Sequence, residues 1–439
     1  MERGSTRGAR ARHRRHGRCA RRRHRRARGA RTRRLHCSGH RRLHPRRGGQ
    51  ARGAKARRQR TACGRPPHRD PARDERAPSG RPLTSQLRWA DIHLKAIRAN
   101  AARILEHLPK GTHLFAVVKA NAYGHGAVKA ARAALDGGAT RLAVSTLAEA
   151  RELTGLVHAD HILVMGGLVP AQAGAAAASG CTIGVSSLAM AEAMSQTDEV
   201  VPVHLKIDTG MGRYGCAPED APALARYIEQ SAGLRLDGTW THFASADTDA
   251  QMTRKQFELF AETLASLGAD PGVRHACNSA GARSFPEYAL DAVRCGIALY
   301  GCDWPGMAQA MTLHSVITHL KTVDPGTTVG YGATWRARAR SRIATVAIGY
   351  ADGVHRVRSN RGHALVRGKR APLVGTVSMD AITLDVTDIE DVTEGDAVTL
   401  IGVDGGEKIT AEQVGRWSGT ISYEVLTSLG QRVERRYIE

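Results

Sequence analysis

A chain of 439 residues with a formal charge of +24 has the balance of a nucleic-acid binder, but the charge sits at one end. Residues 1–80 hold 29 Lys and Arg against 4 Asp and Glu, whereas the rest holds 36 against 37. That excludes a basic globular surface as the main function, and no apolar run of about 18 residues predicts a membrane span.

Residues 1–82 are mostly Arg, Ala, Gly, His and Pro, with hardly a large apolar side chain. Such a segment cannot bury enough surface to offset its ordering entropy, so the composition predicts a disordered basic tail. It lacks the apolar stretch of about 7–15 residues that a secretory signal needs, and the serine and periodicity of a transit peptide. An arm with non-specific attraction for nucleic acid is one reading. The preferred one is an upstream GC-rich stretch read from a start placed too early. Three cysteines, Cys19, Cys37 and Cys63, fall in this tail. The other five, Cys181, Cys216, Cys277, Cys295 and Cys302, are scattered without CxxC spacing. They read as small buried thiols rather than disulfide partners or metal ligands, which points to a cytoplasmic protein without a metal site.

The ordered chain is expected from residue 83. "LRWADIHLKAIRANAARILEHL" opens with a short apolar stretch and passes into a helix with Ile97, Ile104, Leu105 and Leu108 apolar. Short apolar runs then recur with helical segments between them: "LFAVV" at Leu114, "RLAVS" at Arg141, "HILVM" at His161 and "CTIGV" at Cys181. "VPVHLKID" at Val201, "LDGTWTHF" at Leu236, "VRHACNS" at Val273 and "AVRCGIALY" at Ala292 complete the series. Eight strands with crossovers of about 20–30 residues predict an α/β fold, a (β/α)8 barrel over residues 83–312. From 313 to 439 the rhythm changes to strand-like runs closed by Gly, Pro and Asp turns, which predicts a mainly β C-terminal domain.

Barrel logic puts catalytic groups at the C-terminal strand ends. Lys119 closes the buried run Leu114–Val118, and from position alone it would reach out to water. Its neighbours argue otherwise. Tyr123 follows the same strand; Lys206, Asp208 and Arg213 follow the fifth; His242 closes the sixth; Asn278 and Ser279 the seventh; Arg294, Gly296 and Ile297 belong to the eighth. A desolvated lysine is a nucleophile able to form a Schiff base, and hydroxyls with exposed backbone N–H groups suit a phosphate monoester. Together they suit pyridoxal 5'-phosphate.

The motifs "AVVKANAYGHG", "HLKIDTGMGRYG", "THFASAD", "HACNSAG", "VRCGIALYG", "GYGATW", "IGYADG", "VGTVSMD" and "ISYEVL" occur in this order. From about Leu87 to the C-terminus the chain resembles the alanine racemases, barrel-type (fold type III) pyridoxal-phosphate isomerases. The resemblance implies interconversion of L- and D-alanine, with D-alanine supplied for peptidoglycan, by two bases on a cofactor aldimine. It makes Lys119 the Schiff-base lysine and Tyr331 the opposing acid–base. Arg294 would face the pyridine nitrogen with His242 beside it, and Tyr123, Asn278, Ser279, Gly296, Ile297 and Tyr423 would complete the cofactor site. Arg213 would meet the substrate carboxylate. Met379 and Asp380 would reach the substrate from a second subunit of a homodimer, with Tyr350 at the entrance. Lys206 matches a lysine that some members carry carboxylated, an ordinary surface lysine being the alternative.

The roles are physically coherent. Racemisation removes a proton from one face of a carbon and returns one on the other, so it needs two groups on opposite faces. An arginine at the ring nitrogen cannot give up its proton, which leaves the ring a weaker electron sink and restrains side reactions. Cys277, Gly281 and Tyr214 depart from the family's usual small or aliphatic residues. Alternatives are a serine or broad-specificity racemase, a decarboxylase, and a non-catalytic pyridoxal-phosphate-binding barrel. The last would lack Tyr331, Met379 and Asp380.

Overall fold

Eight apolar runs rich in Val, Ile, Leu and Ala become parallel strands because each is covered on both faces. The computed structural model describes residues 86–439; the expectations for residues 1–82, with Cys19, Cys37 and Cys63, lie outside the described residues. A strand β1 (Arg88–His93) comes first. The barrel then runs through β2 (His113–Val117), β3 (Arg141–Val144), β4 (Ile162–Val164), β5 (Thr182–Val185), β6 (Val201–Lys206), β7 (Leu234–Trp240), β8 (Val273–His275) and β9 (Ala292–Cys295). Each pairs with the next, and β9 returns to β2 with Leu114 opposite Val293, so the barrel closes.

The helix Leu94–His107 shows how the outer ring is held. Ile97, Ala101 and Ile104 recur at helical spacing and are fully buried. Each isoleucine contributes about 2 kcal/mol by leaving water. The helix stops at Leu108, which is extended because Pro109 follows it. An Ile104→Asp change would place an unpaired carboxylate in this contact and break it.

β10 (Met311–Val323) is the spine of a nine-stranded C-terminal sheet. It pairs with Ser341–Val346 along one stretch and with Ala397–Asp404 along another. β1 also belongs to this sheet, not to the barrel wall: Ala90 lies opposite Leu313 on one side and Arg435 of the last strand on the other. Two short helices, Ala411–Ser418 and Ser422–Thr427, precede that last strand. The second packs on the loop after β2, where a Cβ on Gly124 (φ +84°) would lie 2.4 Å from the Leu426 carbonyl oxygen. Glycine is what lets Tyr423 approach the barrel rim.

The five cysteines among the described residues are buried and free. No helix of the described residues is long and apolar enough to cross a membrane.

Candidate active site

Lys119 emerges from β2 into an unusual backbone. Ala120, Asn121, Ala122 and Tyr123 all have φ of 52–53°, one turn of left-handed helix built from residues other than glycine. This costs roughly 1–2 kcal/mol per residue, so it persists only where its surroundings hold it. Several bonds do so. The Glu149 carboxylate accepts from Ala120 N at 2.7 Å and from Ser145 N at 2.8 Å. Asn121 Oδ1 accepts from Ala127 N at 2.8 Å. The fully buried His125 donates from Nδ1 to the carbonyls of Ala122 and Tyr123, both at 3.0 Å. The turn sends Lys119 and Tyr123 into one cavity of about 310 Å3.

Ten residues singled out in the sequence line that cavity: Lys119, Tyr123, Arg213, His242, Asn278, Ser279, Arg294, Gly296, Ile297 and Tyr423. Val117, Ala120, Met165 and Thr427 line it as well and carried no sequence signal. One side offers neutral donors. Ser279 Oγ accepts from Gly296 N at 3.1 Å, and a Cβ on Gly296 would lie 2.4 Å from the Tyr123 hydroxyl oxygen. Asn278 caps the helix that starts at Ser279, accepting from Gly281 N at 2.9 Å. Burial pushes the Tyr123 hydroxyl far above its ordinary range, so it stays a neutral donor. The Tyr423 ring packs beside it at 5.9 Å.

The other side is cationic. Among the described residues no Asp or Glu lines the cavity beside Lys119, Arg213 and Arg294. Burial first, then the Arg213 charge, lowers the Lys119 pKa and favours the free amine. Asp208, after β6, shapes the loop that carries Arg213 by accepting from the backbone N–H groups of Gly210, Met211 and Gly212.

Arg294 is almost fully buried, yet no carboxylate meets it. One terminal nitrogen donates to His275 Nδ1 at 2.7 Å and to the His275 carbonyl at 3.1 Å. The other donates to the carbonyls of Thr241 (2.7 Å) and Ala276 (2.9 Å) and to His242 Nδ1 (3.2 Å). Its Nε is buried and has no hydrogen-bond partner among the described residues. A guanidinium held only by neutral acceptors keeps its full charge and one free donor. His242, desolvated and facing Arg294, is held neutral.

Lys206 is not on the surface: it is buried at the end of β6, with its Nζ 4.4 Å from the Trp240 ring centroid and 5.3 Å from that of Tyr214. Burial, then Arg294 and Arg213, bring its pKa down to about 7.

Besides Lys206, which lies behind the lining, four candidates are not brought to this cavity within one chain. Tyr331, Tyr350, Met379 and Asp380 all lie in the C-terminal domain and line no part of it. Tyr331 is 74% exposed, on a short turn whose carbonyl accepts from Thr376 Oγ1 at 2.7 Å. Met379 and Tyr350 are exposed too, on adjacent loops joined by Tyr350 N to Ser378 O at 3.0 Å and Ala351 N to Met379 O at 3.0 Å. Beneath them the buried Asp352 accepts from Arg88 (2.8 Å) and Arg432 (2.9 Å), and Arg432 also reaches Asp380 at 2.8 Å.

Comparisons with known proteins agree with this layout. Residues 92–303 match the family "Alanine racemase, N-terminal domain", and residues 310–437 match "Alanine racemase, C-terminal domain". The alanine racemase of Desulforamulus reducens is 42% identical over 369 residues, which cover 80% of this chain and 98% of that protein. That of Symbiobacterium thermophilum is 40% identical, covering 80% of this chain and 96% of its own. The crystal structure of alanine racemase from E. faecalis superposes with a TM-score of 0.76 at 36% identity, covering 80% of this chain and 98% of that one. An alanine racemase structure from Bartonella henselae, with covalently bound pyridoxal phosphate, gives 0.74 at 31% identity, covering 80% and 99%.

Proposed function

The chain belongs to the alanine racemase family, and from that premise we propose that its two bases, Lys119 and Tyr331, meet across two copies of the chain. The enzyme is a pyridoxal-phosphate-dependent isomerase that interconverts L- and D-alanine, the reaction that supplies D-alanine for peptidoglycan. The match over residues 310–437 sets aside the barrel-only, non-catalytic reading.

The residues present fit the cofactor. The unpaired buried Nε of Arg294 suits the ring nitrogen, and the Gly296 gap under the Tyr123 hydroxyl with Ser279 suits the phosphate. Asn278, Ile297 and Tyr423 complete that wall, and Lys119 forms the covalent link. Pyridoxal phosphate, when bound, supplies an electron sink for the α-carbon. Everything else falls to side chains of this protein. Arg213 holds the substrate carboxylate at the mouth of the cavity. Lys119 takes the α-proton on one face as a free amine or returns one there as its ammonium, and Tyr331 of a second copy does the converse on the other face, giving as a phenol or taking as a phenolate. Met379 and Asp380 of that copy close the substrate space, and Tyr350 stands at its entrance. Arg294, protonated, would face the ring nitrogen and leave the ring a weaker electron sink. Lys206, with its pKa near 7, is partly a neutral amine at physiological pH, the form that adds carbon dioxide. Its carboxylation would replace a further cation beside Arg213 by an anion. Five free thiols among the described residues support a cytoplasmic enzyme.

One observation carries this reading: Lys119 opens into a buried cationic cavity, while the other candidate base, Tyr331, stands 74% exposed on the C-terminal domain. Borohydride reduction of the yellow protein followed by peptide mapping tests the first half, with the label expected on Lys119. A label on any other lysine overturns the assignment.

A further inference from the structure

Two imidazoles that no step above uses lie inside the barrel. His204 on β6 and His275 at the end of β8 are both fully buried. They form a line with Arg294: His204 Nδ1 is 2.8 Å from His275 Nε2, and His275 Nδ1 is 2.7 Å from Arg294. The positions of the protons follow. A guanidinium donates and cannot accept, so His275 Nδ1 bears a lone pair. Burial and the Arg294 charge hold His275 neutral, so its single proton is on Nε2 and donates to His204 Nδ1. His204 is neutral as well, for burial first and then Arg141 and Arg294. Its own proton is therefore on Nε2, a buried atom with no partner among the described residues.

The intervening strand is shaped to admit this line. β7 lies between β6 and β8, and the pairing of β6 with β7 slips at Val203/His204. Opposite His204 stands Gly238, where a Cβ would lie 2.7 Å from the imidazole Cε1 and 2.8 Å from its Nε2. A bulge and a glycine in a barrel strand mark a place where something must pass close to the backbone. Here it is the far edge of the His204 ring. Phe115 tilts against both imidazoles, and Trp240 stacks on His275 at 5.6 Å.

We propose that His204 is a positioning residue for Arg294, acting through the tautomer of His275. By accepting at Nδ1 it keeps the His275 proton on Nε2, which leaves Nδ1 free to anchor the guanidinium. With the opposite tautomer, two donors would face each other at 2.7 Å. Anchored at both terminal nitrogens, Arg294 has only Nε left to offer the cofactor ring. The inference rests on the reading that Arg294 faces that ring.

Histidine-selective 15N NMR of the purified holoenzyme tests it. His275 and His204 should each show a protonated Nε2 and a bare Nδ1, unchanged from about pH 6 to 9. In His204→Asn the amide oxygen can accept where Nδ1 did, so the His275 tautomer and kcat should hold to within about twofold; His204→Leu, which leaves a buried donor unpaired, should lose the fixed tautomer and lower kcat roughly tenfold with little change in KM. A proton on His275 Nδ1 in the parent enzyme, or equal losses in the two variants, overturns the proposal. If the Leu variant does not fold, the parent spectrum and the Asn variant still decide. Parental turnover of alanine in an Arg294→Gln variant would instead sink the underlying reading, so the failure of one is not mistaken for the failure of the other.

Discussion

The barrel rim and the C-terminal domain hold their functional residues in opposite ways. At the rim, Lys119 is half-buried and Arg294 buried in a cavity lined by no Asp or Glu among the described residues, held by a left-handed turn and by neutral acceptors respectively, with Lys206 buried at the end of β6. In the C-terminal domain Tyr331, Met379 and Tyr350 stand exposed on neighbouring loops, fixed from beneath by backbone bonds and by Asp352. One region has a formed cavity that holds one candidate base, Lys119. The other displays large, partly apolar side chains on its surface, which is how a surface awaiting another chain presents itself. The contrast is what the proposed division of two bases between a finished cavity and an open face would require.

The barrel side of the comparison breaks most sharply at Arg294. Arg294→Gln removes the charge and alters the free Nε donor of this side chain, and kcat for alanine should fall about 10²–10³-fold. A variant within a few-fold of the parent in steady-state assays would remove Arg294 from the cofactor site.

A smaller effect sharpens the account of the left-handed turn. Buried His125 has its pKa lowered to about 4, first by desolvation. Below pH 6.5 the unfolded chain takes up a proton there that the folded chain refuses, so stability is flat above 6.5 and falls towards pH 4. Over that range the loss is about 3 kcal/mol. His125→Asn keeps a donor for the turn but cannot titrate, so urea unfolding at pH 7 and pH 4.5 should differ less in the variant than in the parent. Equal differences would show that His125 does not resist protonation. The smallest effect belongs to residues 1–81, which precede both family matches. Their removal should leave kcat, KM and Tm unchanged, and a folded but inactive truncation would give the tail a role.

Much of the barrel was legible because short apolar runs such as "LFAVV" and "HILVM" recur at even spacing, although β7 and β8 interrupt theirs with polar residues. The place of β1 was not, since its partners Leu313 and Arg435 lie more than 220 residues away and nothing local encodes that pairing. The rim residues could be gathered from strand ends alone. The left-handed turn could not, because Ala120, Ala122 and Tyr123 ordinarily avoid positive φ and only Asn121, Gly124 and Gly126 hint at it. His204 and His275 passed as residues of buried strands; their meaning depends on Arg294 two elements away. Tyr331 and its neighbours were legible only through the family resemblance, since a tyrosine in a glycine-rich turn has no chemistry of its own to announce.

The division of the site between two chains is tested most directly by complementation. Lys119→Ala and Tyr331→Phe should each lose about 10²–10⁴-fold in kcat. Mixed in equal amounts and allowed to exchange subunits, they should regain about a quarter of parental activity, because half the dimers are mixed and each holds one intact site and one with neither base. Activity that stays at the level of the two variants, despite subunit exchange shown by mass spectrometry, would place both bases in a single chain and contradict the account.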